Sequence, residues 1–361
     1  MRAPVTVSPT DLDSVPDRPA VFLLWASQGQ PYLARTALLR RRLRRLISDR
    51  DRVSRVLNLR GVAERIEYWI TGSQLESSLL HLELAQRWYP DDWPRITRIR
   101  PPAFVRLTLD NPFPRTMITS RLGRGVYHGP FASRAAAERF ENEMLDLFQI
   151  RRCEENLDPR PDHPGCIYGE MNRCMRPCQQ AVTADEYRGE VARVEQFLRT
   201  GGASLAESAQ AARDHASVAM QFEEAERMHQ RVERIAGVQT LAGDLARAVD
   251  QLAGVAVTPS AEAGAVELWF LLGGCWQDPV RFELAASLDA GRSMDYRLRE
   301  SIAATVRQTD SHGPPNLEHL AILMRWYGSS WRDGEWLSFE SIDQIPYRKL
   351  VNAIGRVGRE P

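Results

Sequence analysis

The chain has 361 residues, 43% hydrophobic and 26% charged, a composition that is ordinary for globular domains and a length that allows two or three of them. Its formal net charge of zero excludes an overall field that would draw it to nucleic acid, so such attraction must come from local patches. No run approaches the ~18–20 apolar residues needed to span a bilayer. The N-terminus has no apolar export signal, and we therefore expect a cytoplasmic protein with reduced thiols.

The front of the chain predicts a small sheet followed by a basic helix. Residues 1–17 are polar and contain prolines, which predicts a flexible lead-in. Residues 20–25 predict a buried strand, and a second short strand begins at Pro31 after a turn. Apolar residues then recur at helical spacing between positions 36 and 47, so an amphipathic helix with an arginine face is expected there.

Residues 35–60 hold ten arginines and only two aspartates. Arginine binds phosphate through paired hydrogen bonds, so this run is a candidate surface for a nucleic-acid backbone. A solvated helix face is the simpler alternative for any run of charge. The candidate DNA contacts are Arg35, Arg40, Arg41, Arg44 and Arg45.

Four of the five cysteines fall within 26 residues of the middle of the chain, after two alternating strands at 104–109 and 115–119 and a helix at 133–148. Thiolates gathered in this way suit zinc or an iron–sulfur cluster, each of which takes about four sulfur ligands. Two disulfides would require an oxidising compartment. The candidate metal ligands are Cys153, Cys166, Cys174 and Cys178.

The second half of the chain is helical at first and then mixed. Thr183 and Glu186 have the spacing of a capping box, which predicts a helix from there to about Arg199. Residues 204–248 predict a helical pair with a break near Met220. Beyond residue 250 we expect antiparallel strands and then helices near 294–306, 315–327 and 346–358.

The cysteine-rich region resembles that of UvrC, the nuclease subunit of bacterial nucleotide excision repair. The resemblance rests on an ordered set of short motifs: Gly129-Pro130-Phe131, Arg152-Cys153, Cys166-Ile167-Tyr168, Arg173-Cys174 and Pro177-Cys178. It implies that the four cysteines hold a [4Fe–4S] cluster. The spacing of the thiols alone does not choose iron over zinc, so zinc stays an alternative.

The front of the chain is similar in position to the GIY-YIG nuclease domain of the same family. This similarity implies that Tyr32 orients the attacking water, that Arg42 stabilises charge on the phosphoryl group, and that Glu76 holds Mg²⁺ or Mn²⁺. Phe22 stands where the family has its first motif tyrosine, and Ala34 replaces a motif glycine. These departures leave two functions open, a metal-dependent endonuclease and a catalytically inactive binding module.

The segment Ala219–Arg227 resembles the UVR helical hairpin, through which UvrC contacts the helicase subunit UvrB. The resemblance implies partner contacts at Phe222, Ala225 and Glu226. The Arg-Asp pair that the family has after this segment is replaced by His229-Gln230.

The sequence pattern predicts an α+β multidomain protein. The resemblance implies a repair protein of UvrC type that makes a single incision in damaged DNA, with DNA and a UvrB-like helicase subunit as partners. The expected fold is a GIY-YIG-like small mixed sheet with helices, a cysteine-rich metal segment, a helical hairpin and a small α/β C-terminal region. The predicted boundaries are 1–17 for the lead-in, 18–122 for the nuclease-like domain, 123–202 for the cysteine-rich domain, 203–248 for the hairpin and 249–361 for the C-terminal region.

Overall fold

The computed structural model describes residues 3–47, 59–284, 293–306 and 313–359. Within these ranges the protein has a mixed α+β architecture with three small antiparallel sheets and helices packed against them. This confirms the predicted α+β class. In the described part of the chain, no helix is both long enough and apolar enough to cross a membrane.

The N-terminal unit is a sheet with the strand order β1-β4-β2-β3 and helices on both faces. Its elements are, in chain order, β1 (Val5–Val7), β2 (Ala20–Ala26), β3 (Tyr32–Thr36), α1 (Leu39–Ile47), β4 (Ala63–Ile70), α2 (Gln74–Trp88) and α3 (Trp93–Thr97). Alternate residues of β2 point to opposite faces, so Phe22 packs against α1 while Val21 and Leu23 pack on the side of α2. The predicted order of strand, strand and basic helix is confirmed.

The first seventeen residues differ from the expected flexible lead-in. Val5–Val7 form the edge strand β1, which pairs antiparallel with β4. Val15 is fully buried in the core beneath α1. The prediction failed because local polarity indicates exposure but does not report that an unpaired sheet edge lies nearby to take up a short strand.

The middle unit contains the second sheet, with the strand order β6-β5-β7-β8. Its elements are β5 (Ala103–Leu107), β6 (Thr116–Thr119), β7 (Val126–Phe131), α4 (Arg134–Leu145), α5 (Ile167–Glu170), α6 (Ala184–Thr200), α7 (Ala203–Val218), α8 (Phe222–Ala242) and β8 (Arg247–Ala248). Because β5 pairs with both β6 and β7, these strands belong to this sheet and not to the N-terminal sheet, although the predicted boundary at 122 placed β5 and β6 in the first domain.

Local signals in the middle unit agree with the predicted helices. Thr183 and Glu186 form the capping box at the start of α6, each side chain accepting a hydrogen bond from the other's backbone N–H. Met220 has a left-handed backbone with φ of 56° and separates α7 from α8, as expected for a helical pair. Helices α4, α6 and α8 cover the sheet through a core that includes Phe140, Phe197 and Ile235.

The C-terminal unit is built on a third sheet, in which β9 and β10 are central and β13 lies at one edge. Its elements are β9 (Ala253–Pro259), β10 (Ala265–Leu272), β11 (Cys275–Trp276), β12 (Val280–Glu283), α9 (Met294–Val306), α10 (Leu317–Tyr327), β13 (Glu335–Phe339) and α11 (Tyr347–Val357). The expected strands and helices are present, and β13 is an addition. It pairs with β9, where the Trp336 ring covers Gly254 so closely that a Cβ would lie 2.2 Å from it.

All three units meet in one shared core. Leu75 and Leu82 of α2 pack there with Phe104 of β5, Trp269 of β10 and Trp326 of α10. The backbone is also tight at this junction, since a Cβ at position 72 would lie 2.3 Å from the carbonyl carbon of residue 260. The relative placement of the units is therefore held by burial, each buried leucine contributing about 1.5–3 kcal/mol.

His128 makes the stability of the middle unit dependent on pH. The side chain in β7 is fully buried, its Nδ1 lies 2.8 Å from the Leu198 carbonyl oxygen of α6, and its ring stacks on Phe140. Burial lowers the pKa of His128 from 6.5 to about 4. An unfolded chain therefore binds this proton below about pH 6.5 while the folded protein does not, so stability falls as the pH is lowered through that range.

The free energy of unfolding should fall when the pH is lowered from 7.5 to 5. We predict that this fall is smaller by about 2 kcal/mol in His128→Phe than in the wild type. The phenyl ring keeps the stacking on Phe140 but has no proton to bind. Urea denaturation at the two pH values measures the difference. The exposed His215, replaced by Asn, is the control, and an unchanged pH dependence in the Phe variant would contradict the assignment.

Candidate functional site

Tyr32 and Arg42 lie together on the α1 face of the N-terminal sheet. Tyr32 begins the edge strand β3, and Arg42 lies one turn into α1, which is anchored by the buried Leu39 and Leu43. The Arg42 guanidinium donates to the Tyr32 hydroxyl over 3.5 Å. The Phe22 ring is fully buried with its centroid 6.3 Å from that of Tyr32. A guanidinium beside a phenol can neutralise a phosphoryl oxygen while the hydroxyl positions water.

Glu76 lies elsewhere, on α2 at the opposite face of that sheet. Its side chain is nearly buried, and its Oε2 accepts the Gly72 N–H at 2.7 Å. Its own N–H donates to the Ser73 Oγ at 3.1 Å. The carboxylate therefore caps the start of α2, a role that also suits the helix dipole. The structure brings together two of the three predicted catalytic residues and sets the third apart from them.

The predicted DNA-contact arginines are divided between two surfaces. On α1, Arg41 and Arg44 form ion pairs with Asp17 and Asp13 of the N-terminal segment, while Arg40 is half-buried and Arg45 is exposed. Arg35 is on the other face of β3, where it donates to the Ser78 Oγ of α2 at 2.9 Å. Arg50, Arg52 and Arg55 of the arginine run lie outside the described residues.

A second group of arginines, which was not predicted from the sequence, gathers around Arg35. Arg95, Arg98 and Arg100 follow one another at the end of the N-terminal unit, and Arg325 approaches from α10. Three arginines within the six residues 95–100, separated by Ile96, Thr97 and Ile99, were a visible signal of an exposed basic edge. Nothing local could have indicated Arg325, because only the packing of α10 on α2 brings it there.

The four cysteines of the middle unit converge in the segment between α4 and α6. Cys174 and Cys178 are buried, and Cys153 and Cys166 are half-buried. Burial raises the pKa of the Cys174 thiol to about 11, and the other three thiols add to the rise. All five cysteines of the chain are described, and all are free thiols. In the described residues, no three or more His, Cys, Asp or Glu side chains are arranged to hold one metal ion.

Arg151 is a buried cation beside these thiols. Its side chain is 1% exposed, and its Nη1 lies 3.6 Å from the Cys153 Sγ and 2.7 Å from the Glu155 carbonyl oxygen. Its Nη2 is buried without a hydrogen-bond partner among the described residues. Such a guanidinium requires a compensating negative charge. Four thiols together with an unpartnered buried donor have the chemistry of a site for an anionic metal–thiolate centre.

The tip of the α7–α8 hairpin exposes apolar side chains. Val218, Met220 and Phe222 are 85%, 76% and 74% exposed. Ala225 is half-buried, and Glu226 is exposed and accepts a hydrogen bond from Gln230. A cluster of exposed apolar side chains is a protein-interaction site more often than other parts of a protein surface are.

Comparison with known families agrees with this architecture. Residues 103–197 match the model of the middle domain of UvrC/Cho excinucleases. The match begins at β5 and ends within α6, and so it includes all four clustered cysteines. The similarity to the excinuclease middle domain thus lies in the part of the middle unit from β5 to α6.

A longer part of the chain is similar to proteins named UvrABC system protein C. UvrABC system protein C of Rickettsia felis is 30% identical over 250 residues, which cover 67% of this chain and 38% of the relative. The protein of the same name from Lachnospira eligens is 26% identical over 60% of this chain and 36% of its own length. The chain is thus a homologue of the UvrC family that spans less than two fifths of the length of these relatives. No solved structure matches it.

We predict that Glu76→Ala lowers the free energy of unfolding by about 1 kcal/mol, because the Gly72 N–H loses its acceptor. Glu76→Gln keeps a carbonyl oxygen in the same place and should lose less. Urea denaturation of both variants measures the difference. Equal stability of the two variants would show that the carboxylate does not cap α2.

Proposed function

We propose that the protein acts in nucleotide excision repair of DNA as a UvrC-type protein, and that its N-terminal unit is a GIY-YIG-like nuclease that makes one incision. The observation that carries this proposal is the Tyr32–Arg42 pair, held by a strand–strand–helix unit that adjoins a UvrC/Cho middle domain. The relatives that support it are named as subunits of the UvrABC system.

In this proposal Arg42 binds a phosphoryl oxygen of the scissile bond, and Tyr32 orients the attacking water through its hydroxyl. Phe22 packs against Tyr32 and holds its ring, but it lacks the hydroxyl of the tyrosine that the family has at this position. Glu76 is the candidate ligand for Mg²⁺ or Mn²⁺, ions that take one or two carboxylates together with substrate phosphates. Its capping hydrogen bond and its place on the α2 side do not fit this role, so no step is assigned to the ion.

A second candidate function is a catalytically inactive module that binds DNA or a repair partner. The engagement of Glu76 with the Gly72 N–H favours it, because a capping carboxylate is not free to serve as a catalytic ligand. The buried Phe22 favours it as well, since a missing acid or base costs ~10²–10⁴-fold in rate.

The four cysteines are proposed to hold a [4Fe–4S] cluster, with zinc as the alternative. Zinc needs its sulfur ligands around one ion at about 2.3 Å, whereas a cluster spreads them over several irons. When bound, such a cluster carries negative charge with its thiolates, and the buried Arg151 would balance that charge.

The α7–α8 hairpin is proposed to contact a UvrB-like helicase subunit. Its exposed tip offers Phe222 with Val218 and Met220 as an apolar contact, and Ala225 and Glu226 continue this surface along α8. An amphipathic hairpin of this kind binds a partner helix or groove through its apolar residues.

We predict that the protein nicks a damaged duplex in Mg²⁺ or Mn²⁺, and that Arg42→Gln lowers the rate about 10²–10³-fold by removing charge from the transition state. Tyr32→Phe and Glu76→Gln are tested beside it, since Glu76→Gln keeps the cap and removes the charge. The exposed Arg348, replaced by Gln, is the control for net charge. Protein purified anaerobically is tested with and without a UvrB-type helicase subunit.

The outcomes separate the two candidates. Nicking that depends on Arg42 and Tyr32 establishes the nuclease, and loss in Glu76→Gln adds the ion ligand. If the wild-type protein makes no nick while it still binds DNA or the helicase subunit, the inactive module is correct. Equal nicking by the wild type and all three variants would contradict the location of the site.

We predict that Cys174→Ser removes most of the bound metal and lowers the melting temperature, because a structural metal contributes to folding. Cys275→Ser is the matched control, since Cys275 is a half-buried thiol outside the cluster. Metal analysis and visible absorption of anaerobically purified protein distinguish iron from zinc. Unchanged metal content and melting in Cys174→Ser would exclude the site.

A further inference from the structure

A groove rich in arginine runs between the N-terminal unit and helix α10. It consists of three adjoining cavities of about 780, 600 and 550 Å³, and each of them is lined by both Arg35 and Arg325. We call it the junction groove. The arginines that line it are Arg35, Arg95, Arg98, Arg100 and Arg325.

The arginines of the junction groove have no carboxylate partner. Among the described residues no ion pair joins any of the five to an aspartate or glutamate, in contrast to pairs such as Arg356 with Glu335. Two carboxylates border the groove, those of Asp92 and Asp333. Asp333 is already used by the scaffold, since it accepts the Gln74 N–H at 2.5 Å and the Trp326 Nε1–H at 3.0 Å. In a chain of zero net charge, this is a concentrated positive patch.

The groove also brings like charges close together. Arg35 and Arg325 line the same three cavities, and partial burial together with the like charge of Arg325 lowers the pKa of Arg35. Burial and Arg35 lower the pKa of His81 to about 4, so this side chain is neutral at pH 7 and adds no charge. Repelling guanidiniums without counter-ions are stabilised by an anion that binds between them.

We propose that the junction groove binds the phosphates of a single nucleic-acid strand. Guanidinium groups match phosphate with two parallel hydrogen bonds, and a positively charged groove that follows a backbone is the usual site for a single strand. Five arginines spread over three successive cavities exceed what one free phosphate needs. Each cavity is too small for a duplex and has the volume of a small-molecule site. The inference rests on the proposed action on DNA and extends it to the C-terminal unit, which supplies Arg325.

The groove is distinct from the surface around Arg42. Arg42 lies on the α1 face of the N-terminal sheet, while the side chain of Arg35 lies on the α2 face of the same strand. A nucleic-acid strand held in the junction groove would thus pass around β3, the edge strand of the sheet, which carries both Arg35 and Tyr32. The C-terminal unit then serves as one wall of the nucleic-acid site.

The test measures binding of the full chain to a fluorescein-labelled 20-nucleotide single-stranded DNA by anisotropy between 50 and 200 mM NaCl. Arg98→Ala and Arg325→Ala should each weaken binding and reduce the slope of log affinity against log salt by about 1. The double variant should reduce it by about 2. Arg348→Ala, an exposed arginine of α11 outside the groove, should leave the slope unchanged. Arg98→Lys should restore part of the affinity.

Each outcome decides the inference. Unchanged slopes in Arg98→Ala and Arg325→Ala, with melting temperatures equal to that of the wild type, overturn it even if nicking persists. Reduced slopes without any nicking uphold the groove and reject the nuclease. A wild-type protein that binds inorganic pyrophosphate but no DNA strand overturns the assignment to nucleic acid.

Discussion

Helix α2 is the element on which the arrangement of the molecule depends, because it is buried against two different units. Leu84 and Ala85 pack on the N-terminal sheet, and Leu75 and Leu82 pack into the core shared with the C-terminal unit. A helix with apolar residues on two sides cannot separate from either unit without exposing the apolar face that it buries against that unit. The N-terminal and C-terminal units are therefore held together by the same helix that carries Glu76.

This constraint explains the environment of Glu76. The start of α2 is pressed against the C-terminal unit at residue 72, where no side chain fits, and the N–H groups of Gly72 and of the first helical turn need acceptors. Glu76 and Ser73 supply them. Glu76 thus holds the start of α2, which adjoins the C-terminal unit. The Tyr32–Arg42 pair lies on the other face of the N-terminal sheet.

The same packing creates the junction groove. Helix α10 lies against α2, and its apolar residues enter the shared core while Arg325 is left at the surface beside Arg35.

In the middle unit, Arg151 and Tyr187 hold the segment that leads to the clustered cysteines. The Tyr187 hydroxyl accepts the Arg151 N–H at 3.0 Å and donates to the Pro114 carbonyl oxygen at 2.7 Å, which holds the chain that leads to Cys153.

The features that the sequence by itself determined are those controlled by neighbours in the chain. The capping box at Thr183, the break at Met220 and the apolar spacing of α1 all depend on residues within one or two turns. The four cysteines and their motifs identified the family region by their order alone. In the C-terminal unit, the apolar strands were visible because they are buried on both faces.

Only the tertiary structure decided which of these residues share a surface. The pairing of β1 with β4 and of β13 with β9 depends on free sheet edges, which short strands do not encode. The N-terminal sheet lies between α1 and α2, and successive residues of its strands point to opposite faces. Tyr32 and the arginines of α1 therefore lie on one side of the sheet, and Arg35 and Glu76 lie on the other. The meeting of Arg35 with Arg325 depends on long-range burial of apolar surface, which is non-directional and leaves no local pattern.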